Sequence, residues 1–222
     1  MELNERNYLS DLVKQEAPNR FSREEVTVLA GDGARRELAL GAVIGRQVVA
    51  DAVSVTAGAG NTGDGAVGAV TLGKAAVPGT YRLACVKAVA DGGVFEVVTP
   101  DGNRLKDLKV GVAYVSDHLN LTLSDGGTDF ALDDYFNVVV SPGDGKVTAI
   151  DFAADDGRQE AHGVMIGEVA APDGVDAVGV ALVRDAVLSP SFLVWPAGAT
   201  APQKAAALAE LAAKGIITRE EA

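Results

Sequence analysis

Ser191-Phe-Leu-Val-Trp-Pro-Ala-Gly-Ala-Thr200 runs into Ala201-Pro-Gln-Lys-Ala-Ala-Ala-Leu-Ala-Glu-Leu-Ala-Ala-Lys214 and then Gly215-Ile-Ile217. This stretch is an apolar extended run, a Trp-Pro break and one short helix. Thr200 is a suitable N-cap, Pro202 fits the first helical turn, and Gly215 stops the helix as a C′ residue. Leu208 and Leu211 share a face, with Ala205 and Ala212 beside them. It is the only clear helix after residue 30. Upstream, eight Asp-Gly pairs, from Asp32-Gly33 to Asp173-Gly174, punctuate short β-type runs. Asp-Gly tolerates the positive φ of tight turns, so each pair is a hairpin candidate and the chain reads as mainly β.

The strand pattern is plainest between residues 67 and 141. Leu119, Leu121 and Leu123 alternate with His118, Asn120, Thr122 and Ser124, and Phe136, Val138 and Val140 alternate in the same way. Tyr81, Leu83 and Cys85 share a face, as do Phe95 and Val97. Six strands fit, at about 67–73, 80–90, 93–99, 109–115, 118–124 and 134–140. One wet and one packed face per strand predicts an antiparallel β-sandwich. The glycine-rich run from 56 to 66 reads as a linker into this unit, and Ser141-Pro-Gly-Asp-Gly145 closes it. Residues 37–56 and 146–190 return to strand pattern. Pro18 interrupts the short apolar spacing of Tyr8-Leu-Ser-Asp-Leu-Val-Lys14. Residues 1–22 therefore read as an arm that becomes fixed on a partner, or alternatively as a segment lying on its own domain.

Composition narrows the function. The 222-residue chain can bury a sizeable core without disulfides or metals, and its one cysteine, Cys85, excludes an internal disulfide framework. A net charge of −12 argues against direct nucleic-acid binding, which needs clustered Lys and Arg. No apolar run is long enough to span a membrane as a helix. The first residues lack a basic-then-apolar leader, so a cytoplasmic site of synthesis is expected.

The candidate chemistry is sparse. Gly60-Asn-Thr-Gly-Asp-Gly-Ala66 is glycine-rich but continues into a strand, and Gly73-Lys74 lacks the following hydroxyl of a phosphate loop. Asp125, Asp129, Asp133 and Asp134 offer oxygens for a calcium ion, but not at calcium-loop spacing. His118 and His162 are the two histidines, read as surface or edge residues; no nucleophile elbow accompanies them. A triad assembled only by folding stays open as a hydrolase reading. A glycan-binding sandwich also stays open; it requires exposed aromatics among Tyr81, Phe95, Tyr114, Phe130, Tyr135 and Phe136. Trp195 fits a core position and a subunit interface equally well. No cofactor, metal site or catalytic residue is expected.

Three stretches together resemble the lambda-type phage head decoration proteins. The first comprises Gly163-Val-Met-Ile-Gly167, Arg184-Asp-Ala-Val-Leu188, Leu193-Val-Trp-Pro-Ala197 and the alanine-rich helix. The second comprises Leu9-Ser-Asp-Leu-Val-Lys-Gln-Glu-Ala17 and Phe21-Ser-Arg-Glu-Glu-Val-Thr-Val28. The third is the middle unit, with Gly60-Asn-Thr-Gly63, Phe95-Glu-Val-Val-Thr-Pro-Asp-Gly102, Asp129-Phe130 and Asp134-Tyr-Phe-Asn-Val-Val-Val140. The simple members of that family lack the 60–140 unit, and Ala197 stands where an acidic residue can follow Trp-Pro. The resemblance implies a non-enzymatic virion protein: a homotrimer on the outer face of the expanded capsid, at three-fold and local three-fold sites, gripping the major capsid protein. It implies a decoration domain from 23–57 and 142–222, an inserted β-sandwich at 58–141 and an arm at 1–22. Tyr8, Leu9, Leu12, Val13 and Phe21 of the arm are then the expected capsid contacts. Phe192, Trp195 and Pro196 are the expected trimer-interface residues.

Overall fold

A computed structural model describes residues 8–220. It is mainly β, with one long helix, and divides into two compact units. One holds the described residues through Gln47 and from Gly145 onward; the other is Val48–Asp144.

The first unit contains a closed five-stranded barrel. Around it run Val147–Ala149, Arg23–Val28, Ala177–Leu182, Gly163–Met165 and Val43–Arg46. Arg23–Val28 lies antiparallel to Ala177–Leu182 along its whole length, and a single parallel register, Val147 with Val28, closes the ring. Val26, Val28, Ile44, Val147, Met165 and Ala181 fill the interior, at the period of two that a pleated strand imposes. A second core lies beneath the helix. It gathers Leu12, Val43, Ile150, Val164, Leu182, Leu188, Leu211 and Ile216. A three-stranded sheet of Val13–Glu16, Ala186–Leu188 and Ile216–Thr218 flanks it.

The helix spans Ala201–Ala213. Thr200 and Gln203 form a capping box, and Gly215 follows the helix with φ of 78°. Its buried residues are Ala207 and Leu211, with Leu208 packed alongside. Ala205 and Ala212, expected beside the leucines, are exposed instead: the helix rolls so that Ala207 leads into the core and Glu210 accepts a hydrogen bond from the Ala161 N–H at 2.6 Å. Thr200→Ala is expected to cost about 1 kcal/mol by freeing the first-turn N–H groups, read as a lower urea midpoint at unchanged slope.

In the second unit the ordered sheet is Leu108–Lys109, Gly92–Val98, Gly79–Val89, Tyr135–Pro142 and Val49–Ala57. Short ladders, Tyr114–Val115 with Leu119–Leu121 and Thr71–Leu72, and Leu123–Ser124 with Ala66–Val67, supply the residues that face it. Tyr81, Leu83, Cys85, Phe95, Val97, Leu119, Leu121, Leu123, Phe136, Val138 and Val140 share one core, as their alternation predicts. The expected strands at 67–73, 109–115 and 118–124 break into shorter pieces. Gly68 and Gly111 donate to Thr122 and Leu123 carbonyls at these breaks.

Three expectations need correcting. The strand Val49–Ala57 belongs to this middle unit, because its ladder partner is Tyr135–Pro142; the sequence boundary at 57/58 fell too late. The glycine-rich run is not a linker. The Asp134 carboxylate accepts from the N–H groups of Thr62 and Gly63, at 2.8 and 2.9 Å. A Cβ on Gly63 or Gly65 would stand 2.5 or 2.3 Å from the Phe130 ring, so these glycines are there for close approach. Most Asp-Gly pairs also turn the chain between different ladders rather than closing hairpins. Asp91, at φ of 52°, does sit in a tight hairpin joining Gly79–Val89 to Gly92–Val98.

Candidate functional site

The residues that sequence places on an arm fall into two sets. Leu9–Leu12 forms one helical turn and Val13–Glu16 a strand paired antiparallel with Ala186–Leu188. Leu12 is fully buried in the helix-side core, and Val13 packs against that core. Ser22, also buried, donates its hydroxyl to the Asp185 carbonyl at 2.7 Å and accepts the Ala17 N–H at 3.0 Å. Glu16 and Arg23 form a two-pronged ion pair, at 2.8 and 2.7 Å. The hydrogen bond from Arg23 holds the Glu16 carboxyl below its usual range, and Glu16 raises Arg23 in turn. Leu12 and Val13 are thus spent on this chain's own fold and are corrected as free contacts; the segment from 9 to 22 lies on its own domain. Tyr8 and Phe21 remain outward, at 67% and 57% exposure, and Leu9 is half-buried. The Arg184 guanidinium lies over the Phe21 ring at 5.3 Å and donates to the Phe21 carbonyl, which fixes the ring's position. Residues 1–7 of the expected arm lie outside the described residues.

The Trp-Pro stretch is pinned by its backbone. Val194 donates to Gly41 at 2.8 Å, and its carbonyl accepts from Val43 at 3.1 Å. Leu193 is buried, while Phe192 and Trp195 pack on the core edge and stay half-exposed. Lys204 sits 6.0 Å above the Trp195 ring. Pro196 borders a surface cavity of about 250 Å³ shared with Ile150, Phe152 and Gln203. Trp195 thus takes the core role only in part: it packs against the core and stays half-exposed.

Sequence reading missed a third surface. Val178 and Val180 face outward from the barrel strand Ala177–Leu182, at 63% and 41% exposure, with Val175 close by in sequence at 57%. The signal was present: Val178-Gly-Val180 alternates against buried Gly179 and Ala181.

The alternatives lose their supports. Tyr81, Phe95, Tyr114, Phe130 and Phe136 are all buried; Tyr135 is half-buried beneath the Arg82 guanidinium, 4.3 Å from its ring. No exposed aromatic platform for a glycan exists among these six. His118 bonds the Tyr81 hydroxyl through Nδ1 at 3.1 Å, which ties it to a core residue rather than to a nucleophile. Asp134 is consumed by backbone donors from Thr62, Gly63 and Ala131. Burial opposes its charge, but those three N–H groups together hold its carboxyl below the usual range. Of the four acids read as a calcium candidate, Asp125 and Asp129 approach one another, and Asp91 joins them in a surface-lying acidic group.

His162, read as a surface or edge residue, stands half-buried just before the strand Gly163–Met165. Burial, then the charges of Lys214 and Arg46, push its pKa down to about 4 from 6.5. The folded imidazole stays neutral where the unfolded one takes up a proton. Its stabilising contribution is therefore complete above pH 6.5 and is lost as pH falls toward 4. His162→Gln is expected to flatten the fall in stability across that window by one proton, measured by urea unfolding at stepped pH.

The sequence matches the family of the bacteriophage lambda head decoration protein D over residues 2–216. No curated protein matches the chain. Two crystal structures of Xanthomonas campestris FlgL align with 49% of the chain, at 18% and 19% identity and a TM-score of 0.32. The alignments span about a third of the FlgL chains, 34% and 33%, and at that score carry no argument. The family match runs through both units, and this chain belongs to the bacteriophage lambda head decoration protein D family, whose role on the phage head is structural.

Proposed function

We propose that the chain acts as a trimeric cement on the outer face of the expanded phage capsid, at three-fold and local three-fold positions, with the major capsid protein as its partner. The observation that carries this reading is the family match over residues 2–216, which takes in the N-terminal segment, the barrel and the Trp-Pro helix region together. A body that fits only the expanded lattice stabilises that lattice by its binding free energy. Three attachment points on one body raise effective concentration, so weak single contacts add up to firm attachment.

The capsid-facing surface on this proposal takes in residues 1–7, which lie outside the described residues, together with the outward-facing Tyr8 and Phe21. Phe192, Trp195 and Pro196 are its trimer-interface candidates, since each keeps an exposed side. The acidic charge of −12 suits a protein displayed in many copies on an outer surface, where like charge limits aggregation.

The test is co-sedimentation with expanded and unexpanded capsids. Full-length protein is expected to pellet with expanded capsids alone. A variant lacking residues 2–7 is expected to keep the urea midpoint of the parent and to lose capsid attachment. Equal binding to both lattices, or normal decoration by the truncated protein, overturns the reading.

A further inference from the structure

The five-stranded sheet of the middle unit has one long edge strand. Val49–Ala57 is the outermost strand of the five-stranded sheet and pairs on one side with Tyr135–Pro142. The opposite edge, Leu108–Lys109, is two residues long and carries a lysine, a usual way of blunting an edge. Val49–Ala57 has no such device over its second half. Ala52-Val-Ser-Val-Thr-Ala57 contains no charge and no proline. Its ladder runs without a bulge from Val53 to Ala57.

The bonding parity of this edge follows from one contact. Gly58 donates to the Tyr135 carbonyl at 2.9 Å. Antiparallel pairs alternate between bonded and non-bonded, so Thr56 and Ser54 bond inward to Tyr135–Pro142. The backbone groups of Val53, Val55 and Ala57 consequently point away from the sheet. Ala52, Ser54, Val55, Thr56 and Ala57 are exposed.

We propose that this edge pairs with the same edge of a second copy, antiparallel about a two-fold axis at Ser54. Charge selects the occupant. An acidic or basic strand laid along 52–57 finds no counter-charge there, whereas an uncharged strand of small and β-branched residues loses nothing, and this strand is one. The register is self-consistent. Val53 meets Val55 of the second copy in both directions, as hydrogen-bonded pairs with β-branched side chains side by side. Ser54 meets Ser54 as the non-bonded pair at the axis, and Ala52 meets Thr56. One strand pair buries far less than the roughly 1,200 Å² of a stable free interface. The contact is therefore weak between free molecules and forms where copies are crowded. Crowding on a shell rests on the capsid role proposed above; the pairing itself does not.

Ser54→Cys in the full-length chain tests it, with no capsid present. Opposed residues of a non-bonded antiparallel pair stand about 4.5 Å apart at Cα, within disulfide reach. Under mild oxidation at high protein concentration, Ser54→Cys is expected to form disulfide dimers at least tenfold faster than Ser124→Cys, an exposed position in the same unit. The buried Cys85 is common to both. Mixing Ala52→Cys with Thr56→Cys is expected to give mixed dimers in excess over either homodimer. Adding Val55→Lys to Ser54→Cys is expected to remove the excess rate while circular dichroism stays that of the parent. Equal rates for Ser54→Cys and Ser124→Cys, or no excess of mixed dimers, overturns the proposal and leaves the capsid reading untouched.

Discussion

Leu12→Ala is expected to destabilise the first unit by about 2–5 kcal/mol, the range for emptying a fully buried leucine site. Deleting residues 2–22 is expected to do more and to leave no cooperatively folded first unit. The reason lies in what those residues touch. Leu12 is fully buried among Leu188, Leu211 and Ile216, the residues that hold the helix and the flanking sheet together. Val13–Glu16 is one strand of that three-stranded sheet, and its loss exposes the edge of Ala186–Leu188. Ser22 holds the Asp185 carbonyl, and its own carbonyl accepts the Val183 N–H at 3.0 Å. Removing it strands buried backbone groups, at about 1–3 kcal/mol each. Urea unfolding followed by fluorescence and circular dichroism provides the measurement. A truncation of 2–22 that melts like the parent sinks this account and restores a detachable arm.

That correction shows where sequence stopped being informative. Strand alternation is local, so Tyr81, Leu83 and Cys85, or Leu119, Leu121 and Leu123, could be assigned to a core from their spacing. Leu12 is the one fully buried anchor of a short segment; no strand or helix period runs through it, and the core it joins is drawn from Val43, Ile150, Val164 and residues beyond 180. Barrel closure is equally non-local. Val28 meets Val147 and Ala177, and no period in the chain connects them. Glycine carries the same letter for two opposite uses. In 60–66 it reads as freedom, yet Phe130, sixty-odd residues away in sequence, turns it into a requirement for close approach. Thr200, Pro202 and Gly215 were legible because a cap acts within one turn. Of the candidate contacts, exposure divides Tyr8 and Phe21 from Leu12, and exposure is a property of packing that residue type alone does not fix.

Phe95→Ala carries the second large expected effect, on the middle unit. Phe95 is fully buried, with its ring edge-on to Phe130 at 5.0 Å and tilted against Phe136 at 6.1 Å. Truncating such a residue costs about 3–5 kcal/mol, a large share of the stability of a unit this size. The two units have separate cores: Phe95 belongs to one, and the helix-side and barrel cores of the other contain none of its residues. Trp195, the single tryptophan, lies in the first unit. Tryptophan fluorescence therefore follows that unit alone, whereas far-ultraviolet circular dichroism follows both. In Phe95→Ala the dichroism midpoint is expected to fall while the fluorescence midpoint stays. Under conditions where only the middle unit has melted, attachment to expanded capsids is expected to persist, because the surface proposed for it lies at residues 1–8 and Phe21. A fluorescence midpoint that falls in step shows the units to be one cooperative system. Loss of attachment with the fluorescence unchanged moves the capsid-binding surface into Val48–Asp144.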